Sequence, residues 1–417
     1  MPSTSRPTVH GNARPARPVG ASLPSVTTND HSTVDPSELG IDPVALDALH
    51  ARISVEVDAG RLPAAQFALA IGGQVALFES FGSATASTRF PVFSCTKALI
   101  AGVVWQLLAE GKLTTDTRAI DLIPGFGRDG RTPEWMARVT LEQLMTHTSG
   151  FPAAPLGPPR WETREGRLDA FSRWHASFEP GTHFEYHPTA AHWVIAEMIE
   201  VADGGDYRSS VRERIIEPLG LSGLAFAPGP GDQHDIAELV TTGEVPSAAE
   251  IEAVFGVAGF ELGEVTPELL LGFNDPAVRT VGVPGAGAVS TAADLALYYQ
   301  ELLHNTAGLW DPQILEDGTG HIRCSLPNPM LGFPANRSLG LIVAGDDGLS
   351  TFRGMGRTVS PQTFGHNGAG GQIAWADPAT GASFVFVTAG LDMNFMREAR
   401  RIASLASKGG LLVPVVS

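Results

Sequence analysis

Ser94 and Lys97, in the run Ser94-Cys95-Thr96-Lys97, place a hydroxyl and an amine three residues apart, just before the apolar run Ala98 to Leu108. On a helix, positions i and i+3 share a face, so the two groups can meet over one site. A serine hydroxyl becomes a useful nucleophile when a neighbouring base takes its proton. A lysine serves as that base once burial or nearby cations bring its pKa below the ordinary value of about 10.4. The first turn of a buried helix adds free N–H groups and the positive end of the helix dipole, which favour negative charge developing on oxygen. The ordinary alternative is an N-cap serine followed by a solvated lysine. What separates the two readings is the company the pair keeps farther along the chain.

Only four tyrosines occur, Tyr186, Tyr207, Tyr298 and Tyr299. Tyr186 lies in the turn-rich run Pro180 to Pro188 that leads into a helical segment. A phenol beside a cationic amine loses its proton more readily and can shuttle it between nucleophile and leaving group; its bland alternative is a packed ring with a local hydrogen bond. A glycine-rich run, Gly365-His366-Asn367-Gly368-Ala369-Gly370-Gly371, precedes a strand. Its glycines let a substrate pass close to the backbone, and strand-edge N–H groups there can hold an oxyanion. The run lacks the strand-then-helix setting of a dinucleotide loop, so no cofactor is expected. His183, His187 and His192 invite a metal, but the first two straddle a turn and Pro188 interrupts any helix to the third; no metal site is expected. His187 is expected instead to line the cleft beside Tyr186. Cys95 points about 100° away from Ser94 around the helix, toward the core.

The elements that must position these groups are legible in outline. Val44, Leu46, Leu49, Ile53 and Val57 recur at helical spacing and Gly60 supplies a stop. Residues 66–71 and 74–79 flank Gly72-Gly73 as a two-stranded hairpin. Helices are expected over Val139 to Met145, His192 to Val201 and Tyr207 to Ile216, with a proline-rich loop from Phe151 to Arg160. Strand patterns return at Ser338 to Ala344, Gly371 to Ala376 and Ser383 to Thr388, the last two joined by the turn Asp377 to Gly381, and Met396 to Leu405 closes as a helix. N- and C-terminal segments then share one sheet covered by helices, an α+β arrangement. The domains read as a flexible tail over residues 1–40, a sheet domain from residues 41–125 and 283–417, and an inserted, mainly helical lobe over residues 126–282.

With 417 residues, 43% hydrophobic and 18% charged, the chain can bury a large core. A net charge of −17 argues against nucleic-acid or anionic-membrane partners. No apolar segment approaches a membrane span, and the N-terminus lacks the apolar core of a secretory signal. Two cysteines, Cys95 and Cys324, make no disulfide framework, so a reduced, cytoplasmic protein is expected.

Taken together the motifs resemble the serine β-lactamase-like superfamily over roughly residues 42 to 405, through Ser94-Cys95-Thr96-Lys97, Leu144 to Gly150, Tyr186, Gly287 to Leu295 and His366-Asn367-Gly368. The last matches the Lys-Thr-Gly element in the His-x-Gly form of peptidase-like and esterase-like members. The resemblance implies an antiparallel sheet flanked by helices and an acyl-enzyme on Ser94, with Lys97 as base and Tyr186 returning the proton to the leaving group. His366, Asn367, Gly368 and His187 would contact substrate, and the oxyanion would rest on N–H groups of Ser94 and of a residue near Gln372. Pro188 stands where the family has an asparagine, and His366 where it has a lysine. Both changes lean toward small or medium carboxylic esters, acted on by a monomer or homo-oligomer. The alternatives are a D-amino-acid peptidase or amidase, a β-lactamase, an acyltransferase of the same fold, or a catalytically silent binding protein.

Overall fold

The computed structural model describes residues 27–28, 39–255, 265–330 and 332–414. Most of the expected N-terminal tail lies outside the described residues.

The core is a seven-stranded, wholly antiparallel sheet in the order β1-β3-β2-β11-β10-β9-β8. Its strands are β1 (Thr27–Thr28), β2 (Ala64–Ile71), β3 (Gln74–Gly82), β8 (Ile342–Val343), β9 (Phe364–Gly365), β10 (Ile373–Asp377) and β11 (Ala382–Thr388). The expected hairpin is β2–β3, turned by Gly72 and Gly73 at φ 59° and 80°, where only glycine sits without strain. Residues of β2 alternate between the two faces: Ala64, Ala68 and Ala70 join one core, Ala65, Phe67 and Leu69 the other. Because both faces are covered, β2 and β11 read in the sequence as mostly apolar runs, broken by Gln66 in β2 and by Ser383 and Thr388 in β11. On one face lie α1 (Pro43–Asp58), capped by Asp42, and the C-terminal helix. Against the other pack α2 (Thr96–Ala109) and the helix that follows β7.

Within residues 126–282 the long helix is α3 (Ala190–Asp203). This stretch also holds β5 (Leu224–Phe226) and β6 (Val240–Thr242), too short to show a period in sequence. β5 joins a three-stranded sheet with β4 (Phe90–Pro91) and β7 (Ala288–Ser290); β6 runs parallel to β12 (Gly390–Asp392). After β7 comes α4 (Ala292–His304), and α5 (Phe395–Gly409) ends the described fold.

Two expected elements are corrected. The strand expected over Ser338 to Ala344 shrinks to β8, because Gly340 at φ 104° folds Ser338 and Leu341 into a tight turn. The helix expected over Tyr207 to Ile216 is α-helical through Val211 and opens into a wider π turn over Arg212–Ile216. No described helix is long and apolar enough to cross a membrane.

Candidate active site

Ser94 is presented by a strained turn. Phe93 holds φ 45°, a left-handed value that a β-carbon disfavours, and its buried ring packs edge-on to Phe273 at 5.3 Å. Phe93–Cys95 form a single 3-10 turn, after which α2 begins with Cys95 at its N-cap and no side chain capping it. Ser94 therefore stands one turn ahead of the α-helix and is not an N-cap serine; its side chain is free for chemistry.

Lys97 is fully buried on the first turn of α2. Its Nζ lies 3.0 Å from Ser94 Oγ, 2.8 Å from the Pro188 carbonyl and 2.8 Å from the Gly285 carbonyl. Burial pushes the amine below the ordinary lysine range, and the nearby Arg337 charge pushes the same way, against an opposing pull from Tyr186. In the neutral amine, two hydrogens satisfy the two carbonyls, and the lone pair remains for Ser94. Gly285 is placed for this. A β-carbon there would stand 2.8 Å from the Pro188 carbonyl and 3.1 Å from Lys97 Nζ. Thr96 Oγ1, accepting from the Ala288 N–H at 3.0 Å, ties the Gly285 loop and β7 to the helix that carries Lys97.

The Tyr186 hydroxyl donates to Ser94 Oγ at 2.9 Å, and Lys97 Nζ lies 5.2 Å from the Tyr186 ring centre. Ser94 Oγ is thus held between a donor and a base, in the order phenol, hydroxyl, amine.

His366 and Gly368 border the same site. His366 is buried, its N–H donating to Tyr299 Oη at 3.0 Å and its ring 6.0 Å from that of Tyr186. Its Nδ1 faces the Asn367 carbonyl at 2.8 Å and its Nε2 faces Arg337 Nη1 at 3.3 Å. Desolvation, with Arg337 and Lys97 close by, pushes this imidazole well below its usual pKa, so it is neutral and accepts from Arg337. Gly368 runs against the segment entering Ser94, since an added β-carbon would come within 2.3 Å of the Val92 carbonyl.

Three of the expected contacts are corrected. The Asn367 side chain turns away from Ser94: Nδ2 donates to the Gly354 carbonyl at 2.8 Å, fastening a neighbouring loop. The Gln372 carbonyl accepts from the Gly368 N–H, and its buried side-chain amide both donates to and accepts from Thr388 at 2.9 Å, so the side chain clamps a hairpin and is not turned to a substrate. His187 is wholly buried. Its Nδ1 bonds the Glu185 carbonyl at 2.6 Å, and its Nε2 accepts from Ser149 Oγ and the Phe151 N–H at 3.0 and 3.2 Å. Burial pushes His187 down to about 4, leaving a neutral pin for the loop after Gly150.

Sequence reasoning missed three neighbours, His147, Gly285 and Arg337, and weighed a fourth, His192, only together with His183 and His187. His147, at φ 59°, stacks its ring 4.7 Å from that of Tyr186 and receives the His187 N–H. His192, on α3, is buried 5.8 Å from His147 ring to ring. Gly285 could have been suspected from Pro284-Gly285-Ala286-Gly287; Arg337 carries no sequence signal at all. Cys95 is buried and its thiol pushed far up by burial, so it does not compete with Ser94. Among the described residues no cluster of three or more His, Cys, Asp or Glu is arranged to hold a metal ion. A cavity of about 680 Å³ lies beside the β2–β3 hairpin and the start of α4 and includes none of these groups.

Known proteins share this architecture. The chain is 25% identical over 312 residues to the Esterase/beta-lactamase LipL of Mycobacterium tuberculosis, covering 71% of this chain and 68% of that protein. A penicillin-binding protein homolog from Caulobacter crescentus superposes with a TM-score of 0.69 at 24% identity, over 89% of this chain and 99% of its own. A family VIII carboxylesterase superposes equally, TM-score 0.69 at 21% identity, over 89% and 99%. These two solved structures establish the β-lactamase-like fold. Residues 49–407 match the family model Beta-lactamase, and with that extent of agreement the chain belongs to the beta-lactamase family of serine hydrolases and their relatives.

Proposed function

We propose that the protein is a serine hydrolase cleaving carboxylic esters of small or medium size through an acyl-enzyme on Ser94. The observation that carries this reading is the placement of Ser94 Oγ 3.0 Å from Lys97 Nζ and 2.9 Å from the Tyr186 hydroxyl. Lys97, held by two carbonyls and with its pKa lowered by burial, takes the Ser94 proton in its neutral form as Oγ attacks the ester carbonyl. The oxyanion is held by the N–H of Ser94 and by that of Ala369, the residue after Gly368, whose N–H has no acceptor among the described residues. As the tetrahedral adduct collapses, Tyr186 gives its proton to the departing alkoxide and the proton on Lys97 passes back through the emptied Ser94 position to the phenol. Water then attacks the acyl-enzyme by the reverse route.

Esters are favoured over amides because Pro188 brings no side-chain amide toward the site and contributes only its carbonyl, which Lys97 already occupies. The name of LipL, an esterase/beta-lactamase, agrees with ester chemistry without fixing the substrate. The test is the intact mass of wild type and Ser94→Ala after brief mixing with nitrophenyl butyrate, alongside nitrophenol release. A transient adduct and turnover confined to the wild type are expected. Equal turnover in both proteins would refute the mechanism.

A further inference from the structure

The cavity of about 680 Å³ beside the β2–β3 hairpin contains none of the groups that form the Ser94 site. Its volume is that of a pocket for a small organic molecule, which commonly runs from about 300 to 1,000 Å³. One wall is apolar, built by Val75 and Phe78 of β3 and Leu297 of α4. Val75 and Leu297 are only partly buried, so apolar surface is left for a guest to cover.

The polar wall is one-sided. Asp232, Asp235 and Asp294 bring three carboxylates, against one arginine, Arg89, and one histidine, His234, among the described residues. Arg89 is buried and its donors are committed. Nη1 donates to Asp232 Oδ1 at 2.8 Å, and Nη2 donates to the carbonyls of Asp232 and His234 at 3.1 and 2.6 Å. It therefore answers one carboxylate of the three. Asp294 accepts from the Thr291 hydroxyl at 2.7 Å, a bond that orients the carboxylate and leaves its charge in place. The Asp235 carboxylate has no hydrogen-bond or ion-pair partner among the described residues. These acids are not gathered as a metal ion requires, and a metal would leave the apolar wall uncovered. A guest that satisfies both walls is an apolar body carrying a cationic head whose N–H groups donate to carboxylates.

We propose that this cavity is a second ligand site, for an organic amine whose aromatic or aliphatic body covers Val75, Phe78 and Leu297 and whose ammonium group meets Asp235 and Asp294. The site stands whether or not Ser94 cleaves esters. It also adjoins the catalytic frame without entering it. Arg89 leads straight into β4 and so to Ser94, and Thr291 follows β7, which pairs with β4 through Phe90 and Ser290.

The experiment is calorimetry on the full chain at pH 7 with 4-phenylbutylamine, protonated at that pH, neutral 4-phenylbutan-1-ol and anionic 4-phenylbutyrate. The amine should bind at least about tenfold tighter than the alcohol, and the carboxylate should not bind measurably. Asp235→Asn changes an exposed residue at φ 55°, a left-handed value that asparagine tolerates, so the fold keeps its shape. It should weaken the amine by about threefold or more and leave the alcohol within about twofold. Ala293→Trp fills the cavity from α4 and should abolish binding of both. Equal binding of amine and alcohol, an amine affinity unchanged by Asp235→Asn, or binding that survives Ala293→Trp overturns the proposal. So does the absence of amine binding, the outcome expected if another segment of the chain fills the cavity. Should Ala293→Trp not fold, Asp235→Asn and the three probes decide the matter.

Discussion

The carbonyl of Pro188 accepts a hydrogen bond from Lys97 at 2.8 Å, at the position where an asparagine side chain stands in the pattern the sequence resembles. Here a backbone carbonyl holds the amine. With the Gly285 carbonyl at the same distance, it fixes the direction of the Lys97 lone pair.

The state of Lys97 sets the pH dependence. Only the neutral amine accepts the Ser94 proton, so kcat/KM rises with pH until the amine is deprotonated and then levels. Because burial lowers this pKa, the plateau is reached below the ordinary lysine value near 10.4. Lys97→Ala should lower kcat by about 10³-fold and abolish that limb, as a pH–rate profile for nitrophenyl butyrate will read.

Gly285→Ala tests the carbonyl cradle. The new methyl group would sit 3.1 Å from Lys97 Nζ and 2.8 Å from the Pro188 carbonyl, forcing one of them aside. A displacement of that kind should cost about 10²-fold in kcat, while the melting temperature falls only modestly. A variant with unchanged kcat would show that the amine tolerates a second position.

Buried neutral imidazoles make the fold sensitive to acid. His187, pushed down to about 4, and His147, His192 and His366, all pushed well below the usual value, bind protons in the unfolded chain that they refuse when folded. Stability from such groups is complete above about pH 6.5 and drains away as pH falls, by about 2 kcal/mol at pH 5 for His187 alone. Glu398, raised to about 7 by burial, works in the opposite sense over the same range. His50, raised by its hydrogen bond to Glu79, and Glu200, raised by burial, act in the same sense as Glu398; the four buried imidazoles outweigh these three, so the urea midpoint should drop between pH 7 and pH 5. A flat midpoint would mean that the unfolded chain does not gain these protons.

Gln372→Ala tests the clamp on the Thr388 segment. The side chain makes two 2.9 Å hydrogen bonds to the backbone of Thr388, and removing it strands both partners, at a cost of about 2 kcal/mol measured by urea unfolding. The acylation rate of the folded fraction should stay within about 3-fold of wild type. A 10²-fold loss in that rate would show that the clamp also sets the geometry around Ser94.

The sequence made Ser94, Lys97 and Tyr186 legible because each stands in a recognisable local frame: a nucleophile before an apolar helix, and a phenol, one of only four, after a proline-glycine turn. The β2–β3 hairpin and β10–β11 were legible because their turns are written in glycine and proline. What stayed hidden depended on contacts between distant segments. Nothing around Arg337 distinguishes it from a surface arginine until β8 and β9 place it beside Tyr186. The side chain of Asn367 was assigned to the wrong direction, since a motif gives residue types but not which face of a short irregular strand each will take. His187 looked like a cleft residue, and only the fold reveals the loop it fastens.

The pairing of β2 with β11 joins Ala65 to Thr388 and Ile71 to Ala382, residues more than three hundred positions apart, at the centre of the main sheet. A chain emerging from the ribosome exposes the apolar β2–β3 hairpin long before its partner strand exists. The hairpin carries a covered face on both sides, so until β11 arrives it is a sticky ribbon with an open edge. Closing so large a loop makes folding slow, and assembly of the main sheet waits for residues near the C-terminal end. Ser94, synthesised early, therefore gains its finished site among the last events, and chaperone demand during synthesis is built into the strand order.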